Sequence, residues 1–187
     1  MSRESILESA AQVFRQKGFE GASMADIAEV VQLQKASLYH HFSSKQEILL
    51  ELLNKALIVV SGKMESVMAK NLPADQKLRL AINSYLNTLN EQGDLVSVLV
   101  LEYRSLDPEN QARHIPLRDK FEKMWRDLIQ EGVDTGVFSV ENVPVTVRGL
   151  MGAMNWSITW FKPSGKLSID EIAELFTNMF LSGLKKQ

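Results

Sequence analysis

Apolar side chains recur three and four residues apart along most of this 187-residue chain, and that period leaves room for little besides α-helix. Ile6, Leu7, Ala10, Val13 and Phe14 form the first stripe, which Gly18 should stop. Ile48, Leu52, Leu53, Ala56, Leu57, Val60, Met64, Val67 and Met68 form a longer one, and Leu78, Ile82, Tyr85, Leu86 and Leu89 another. The run Leu95 to Leu101 has strand character. Lying between Asp94 and Asp107, it reads better as a buried, central helix. The expected fold class is all-α with about nine helices. A three-helix unit over residues 1–46 should precede a larger helical domain over residues 47–187.

Capping chemistry sets the boundaries. Ser23 with Asp26, Ser44 with Glu47 and Ser168 with Glu171 each suggest a capping box. Pro73 marks a break. Asp107-Pro108 makes an N-cap followed by proline at the first helical position. Pro116 should kink or split the helix it sits in. An eighth helix should run from Val143 to Trp160, with a ninth after Ser168.

Several function classes drop out. Without cysteine there is no disulfide, thiolate zinc site or cysteine nucleophile. His40 and His41 are adjacent and His114 is distant. No phosphate-binding glycine loop or metal-ligand spacing accompanies them, so no enzyme, cofactor or metal site is expected. The polar opening MSRESILES does not resemble a signal peptide, and no apolar run approaches the ~18 residues of a membrane span. The expectation is a cytoplasmic protein with no membrane partner.

Met24 to Leu49 reads as a short helix, a tight turn, a second short helix and the start of a long one. Ile27, Ala28, Val31, Leu33, Leu38 and Phe42 can close a small core. The second short helix, from Lys35, then turns Lys35, Ala36, Ser37, Tyr39 and His40 outward, with Lys45 close behind. From Val31 to Gln46 there are two lysines and no acid, although the chain carries a net charge of −2. A polar, acid-free helix braced by a neighbour is what entry into the major groove of double-stranded DNA requires. Ala36 permits close approach, Ser37 can bond a base edge or a phosphate, and Tyr39, His40 and Lys45 suit phosphate oxygens.

These residues also resemble the N-terminal domain of the TetR family of bacterial transcriptional regulators. The likeness spans about 40 residues: Phe14, Lys17-Gly18-Phe19, Ser23, Ile27-Ala28, Leu38-Tyr39, Phe42 and Ser44-Lys45-Gln46-Glu47. It implies DNA contact by Ser23, Lys35, Tyr39, His40 and Lys45. It further implies an all-helical homodimer whose larger domain binds a small effector. Two positions depart from the family. Gln32 stands where glycine is frequent and should adopt a positive φ, and Gln34 stands at a cap position that it fills poorly.

In the larger domain, Asn155, Trp156, Trp160, Phe161, Pro163 and Gly165 are similar to the end of the eighth helix in family members that sense fatty acyl-CoA. Expected ligand-lining residues are Tyr103, Arg104, Phe121, Met124, Trp125, Met151, Asn155 and Trp156. Arg104, Arg118 and Arg148 are candidates for an anionic head group. Asn155, set in an apolar helix, needs a hydrogen-bond partner if buried. Gly149, Gly152 and Ala153 share one face of the eighth helix; with Ile172, Phe176 and Met179 of the ninth they suggest a homodimer interface. The functional expectation is a repressor released from a palindromic operator by a small hydrophobic effector, a fatty acyl-CoA. An aromatic or cationic effector of multidrug type, and a helical protein–protein adaptor, stand as alternatives.

Overall fold

The computed structural model describes residues 2–185, and among them nine α-helices account for nearly all regular structure. They are α1 (Arg3–Gly21), α2 (Met24–Val30), α3 (Lys35–His41), α4 (Lys45–Met68), α5 (Ala74–Glu91), α6 (Gly93–Leu101), α7 (Pro108–Asp134), α8 (Val143–Trp160) and α9 (Ile169–Leu184). A 3₁₀ turn, Tyr103–Ser105, lies between α6 and α7. The one isolated β-bridge among the described residues joins Phe138 to Lys185. No helix among the described residues is long and apolar enough to cross a membrane.

The chain divides into two compact units. One holds the residues up to Ile58 together with Gln92–Arg118, and the other holds Val59–Glu91 together with the chain from Asp119 onward. The division therefore falls inside α4, between α5 and α6, and inside α7, whereas the sequence suggests a cut at residue 46.

In the first unit Ser2 caps α1, its hydroxyl accepting from Ser5 N at 3.1 Å. Gly18 has φ +70° and breaks the helical geometry. One further turn follows, closed by Ala22 N on Gly18 O and Phe19 O. A side chain at position 18 would be strained there. The Ser23/Asp26 capping box forms as the sequence suggests. α6 packs along α1, and Arg15 pairs with Asp94 at 2.6 Å. The run with strand character is thus a helix, and Leu95, Val96, Val98 and Leu99 are buried.

In the second unit α9 lies along α5 and turns Ile172, Ala173, Thr177, Leu181 and Leu184 inward. Ser168 and Glu171 form the expected capping box. Gly132 is required by a close approach: a Cβ there would run into the ring of Phe138.

Two boundary expectations are refined. Of the kink or split expected at Pro116, the split does not occur, since α7 runs from Pro108 to Asp134 with the proline inside. The lost hydrogen bond and ring clash cost about 3 kcal/mol. Anchoring on both sides offsets that cost: Asp107 accepts from Asn110 N at 2.8 Å and His114 is buried before the proline, while Phe121, Trp125, Leu128 and Ile129 are buried after it. The reciprocal bond of the box at the start of α4 is displaced by one residue. Ser44 Oγ accepts from Glu47 N, but the Glu47 carboxylate accepts from Ser43, at both N and Oγ, each at 2.7 Å.

Candidate nucleic-acid interface and effector cavity

α3 is a seven-residue helix with a single fully buried side chain, Leu38. Such a helix has little stability alone and must be held by its surroundings. Ile27 and Ala28 from α2, Val31 at its C-cap and Phe42 beyond the end of α3 complete the core, while Leu33 is half-buried. The turn between α2 and α3 uses the positive φ expected of Gln32, +54°. Gln34 stands at the N-cap without a side-chain capping bond, again as expected.

The C-terminal end of α3 is fastened by a residue that no sequence pattern singles out. Arg3 of α1 donates to the carbonyl oxygen of His41 and lies 3.9 Å from the centroid of the Phe42 ring. It also pairs with Glu47 at 2.7 Å and, through Nε, donates to Glu51 at 3.1 Å. Bonds from Ser43, then Arg3, hold the Glu47 carboxyl below the usual range. No spacing rule signals this latch, because 38 residues separate Arg3 from His41.

Held this way, α3 turns Lys35, Ala36, Tyr39 and His40 to solvent, with Ser37 half-buried beside them. Tyr39 is 46% exposed, so its ring and hydroxyl are both available at the surface. Two other expected DNA contacts have their polar atoms committed within the protein. The Ser23 hydroxyl accepts from Asp26 N and donates to Asp26 Oδ2 at 2.5 Å. Lys45 Nζ donates to Phe19 O at 2.6 Å and Ala22 O at 2.8 Å, over the Phe19 ring. Lys17, followed by Ser23, keeps the Asp26 carboxyl well below its ordinary range.

Gln46 makes a second clamp in the same unit. Its amide nitrogen donates to Ser105 O at 2.9 Å, and its amide oxygen accepts from Asp107 N at 3.1 Å. The side chain thus pairs with backbone as another peptide group would, and it fixes the start of α4 to the start of α7. In the same unit His114, 2% exposed, donates from Nδ1 to Asn54 Oδ1 at 2.9 Å. Burial, then the charge of Arg118, pushes the pKa of this imidazole down.

The second unit contains a small cavity between α4, α5 and α7, with a volume of about 10 Å³. Val60, Lys63 and Met64, Ala81, Ser84, Tyr85 and Thr88, and Phe121 and Trp125 line it. Tyr85 stacks with Phe121, centroids 6.0 Å apart, and meets Trp125 edge-on at 6.1 Å. Burial pushes the Tyr85 phenol up, so it remains a donor, and it donates to Asn155 Oδ1 at 2.6 Å. Asn155 has the partner that its setting demanded.

Of the expected ligand-lining residues, Phe121 and Trp125 meet at the cavity and Asn155 is tied to it through Tyr85. Met124 and Met151 are half-buried and do not line it. Trp156 is 66% exposed, so the expectation that it lines a pocket gives way to an outward position. Tyr103 and Arg104 belong to the first unit, where Arg104 Nε donates to Tyr103 Oη at 3.0 Å. Val60, Lys63 and Met64 are legible in the sequence only as an apolar stripe and an ordinary lysine.

An exposed apolar face covers parts of α8 and α9. Trp156, Trp160, Leu175 and Met179 are exposed and Phe176 is half-buried, with Trp160 edge-on to Phe176 at 6.4 Å. Gly149 and Gly152 have open space where a Cβ would stand. Ala153 is half-buried beside them. Ile172, expected on this face, is only 5% exposed: it lies on the buried side of α9.

Comparison with known proteins agrees with this geometry. Residues 6–52 match the family model described as bacterial regulatory proteins, tetR family, and residues 71–184 match the tetracyclin repressor-like C-terminal domain. The HTH-type transcriptional repressor KstR2 of Mycolicibacterium smegmatis is 27% identical over 97% of this chain and 90% of its own. The crystal structure of PfmR, a TetR family regulator from Thermus thermophilus, is 34% identical and superposes with a TM-score of 0.87 over 97% of this chain and 99% of its own. AibR, crystallised with isovaleryl coenzyme A and operator DNA, is 25% identical with a TM-score of 0.88, covering 95% of this chain and 96% of its own.

Proposed function

The chain belongs to the TetR family of bacterial transcriptional regulators, and from that premise we propose that it is a homodimeric repressor, released from a palindromic operator when its second unit takes up a fatty acyl-CoA. Membership makes it a DNA-binding regulator and not an enzyme. One observation carries the reading: α3, latched by Arg3 and buried through Leu38, offers Lys35, Ala36, Tyr39 and His40 to the groove.

One short helix reads one half-site. Two must stand about 34–36 Å apart to enter successive major grooves on one side of the duplex. The apolar face of α8 and α9 supplies a place for a second copy, with Gly149 and Gly152 allowing close helix approach. A two-fold axis there would set two copies of α3 symmetrically, as a palindrome requires.

Cavity chemistry supports the effector class. Its walls are mainly apolar and aromatic, with the hydroxyls of Ser84 and Thr88 among them, and among the described residues the charged one that lines it is cationic: Lys63, paired with Glu91 at 3.0 Å. No acidic side chain among the described residues lines it, which favours an acyl chain with an anionic head over a cationic drug. AibR, the relative crystallised with an acyl-CoA, points the same way. At about 10 Å³ the cavity holds no more than a water, so any larger ligand must open it. A ligand that binds only an opened state necessarily shifts the population toward that state. α4 carries both the wall residues Val60 and Met64 and, in its first turn, Lys45 and Gln46, and it gives such a shift a path to α3.

The test is salt-dependent binding to an operator selected from random duplex DNA, followed by thermal shift with acyl-CoAs of several chain lengths. At 100 times its dissociation constant a ligand adds about 2.7 kcal/mol of stability. Free CoA should add much less. A planar aromatic cation that shifts the melt where no acyl-CoA does would refute the acyl-CoA reading. Light scattering should give twice the chain mass, and Gly152→Arg should give monomer. A wild-type monomer at micromolar concentration would refute the dimer.

A further inference from the structure

The indole N–H of Trp125 is buried and has no hydrogen-bond partner, although the residue lines the cavity and is only 1% exposed. Indole donates and cannot accept, so only an acceptor can satisfy it. More than nine in ten buried polar groups in folded proteins find a partner, and an orphan beside a ligand cavity calls for an explanation. None of the cavity's hydroxyls, Ser84, Tyr85 or Thr88, accepts from it. Tyr85 Oη donates to Asn155 Oδ1, and Thr88 Oγ1 donates to Ser84 O at 2.7 Å. The indole is wedged edge-on between two rings, with centroids 6.1 Å from Tyr85 and 6.4 Å from Phe121.

We propose that Trp125 is a specificity residue whose N–H recognises a carbonyl oxygen on the effector: the thioester carbonyl, where the apolar tail meets the anionic head. This deepens the acyl-CoA reading and rests on it. The apolar walls take the tail, and the unmet donor selects molecules that carry an acceptor at that depth. A plain alkyl chain fills the same space but leaves the donor as unpaired as before, so it lacks the affinity that a carbonyl gains there.

The test compares decanoyl-CoA with S-decyl-CoA, a thioether of matched length that lacks the carbonyl, by calorimetry on the wild-type protein and on Trp125→Phe. The wild type should bind the thioester about tenfold more tightly, and Trp125→Phe should bind the two alike. The wild-type comparison needs no variant, so a misfolded Trp125→Phe does not spoil it. As a second readout, decanoyl-CoA should move the Trp125 indole proton resonance downfield, and S-decyl-CoA should not. Equal wild-type affinity for the two ligands would mean that the N–H takes up water or nothing. That result overturns the inference and leaves the acyl-CoA reading intact. If neither ligand binds, that reading falls, and this inference with it.

Discussion

Each of the two units is held together internally by different means, and the difference explains what each can do. In the first, polar side chains reach across long stretches of sequence to fix backbone. Arg3 holds the end of α3, Lys45 holds one carbonyl in the last turn of α1 and one just after it, and Gln46 pairs with Ser105 and Asp107. Such bonds are directional, and they set a reading helix in one orientation. Around the cavity of the second unit the contacts are apolar and aromatic, with an unmet donor and little empty space. Packing of that kind can open around a ligand without breaking a hydrogen-bond network.

The largest expected effect separates reading from folding. Lys35→Ala combined with Tyr39→Ala should weaken operator binding by about 3 kcal/mol and leave the melting temperature nearly unchanged, because both side chains are exposed. Removing Lys35 should also lower the salt slope by about one. Electrophoretic shifts across a salt series measure both. An unchanged affinity would mean that α3 does not enter the groove.

Lys45→Ala should do the reverse and destabilise the fold by about 2 kcal/mol, because its bonds are charge-assisted and directed at Phe19 and Ala22 carbonyls. Chemical denaturation checks it. A variant of wild-type stability with reduced operator affinity would return Lys45 to the phosphate role that its sequence context suggests.

In the second unit Tyr85→Phe should cost about 1 kcal/mol, leaving Asn155 Oδ1 unpaired while the stacking on Phe121 survives. The smallest effect concerns pH. The folded state holds the His114 pKa below its unfolded value, so this residue's contribution is complete above the unfolded pKa and is lost as pH falls through it toward the folded one. Between about pH 8 and about pH 5 the wild type should lose more stability than His114→Gln. Parallel curves would show that the imidazole is not held neutral by burial.

The same contrast governs what the sequence discloses. Helix periodicity, the Ser23 and Ser168 capping boxes and the positive φ of Gln32 are local, and each is readable within a few residues. Arg3 and Gln46 act across 38 and about 60 residues, so no local pattern announces them. Trp156 departs from its expected place because an aromatic on an apolar helix can serve a cavity or an outer face, and only the packing of α8 decides which. Ile172 faces the same ambiguity on α9 and resolves inward. Pro116 signals a break by its own chemistry, while burial on both sides carries the helix through it.

The central claim is that one ligand-opened cavity and one DNA-reading helix are coupled through α4. Its most direct test is operator affinity, by fluorescence anisotropy, with and without saturating decanoyl-CoA or palmitoyl-CoA. The account predicts at least a tenfold loss of operator affinity. By reciprocity it also predicts an equal loss of acyl-CoA affinity when operator is bound. A ligand that raises the melting temperature while operator affinity stays the same would contradict it.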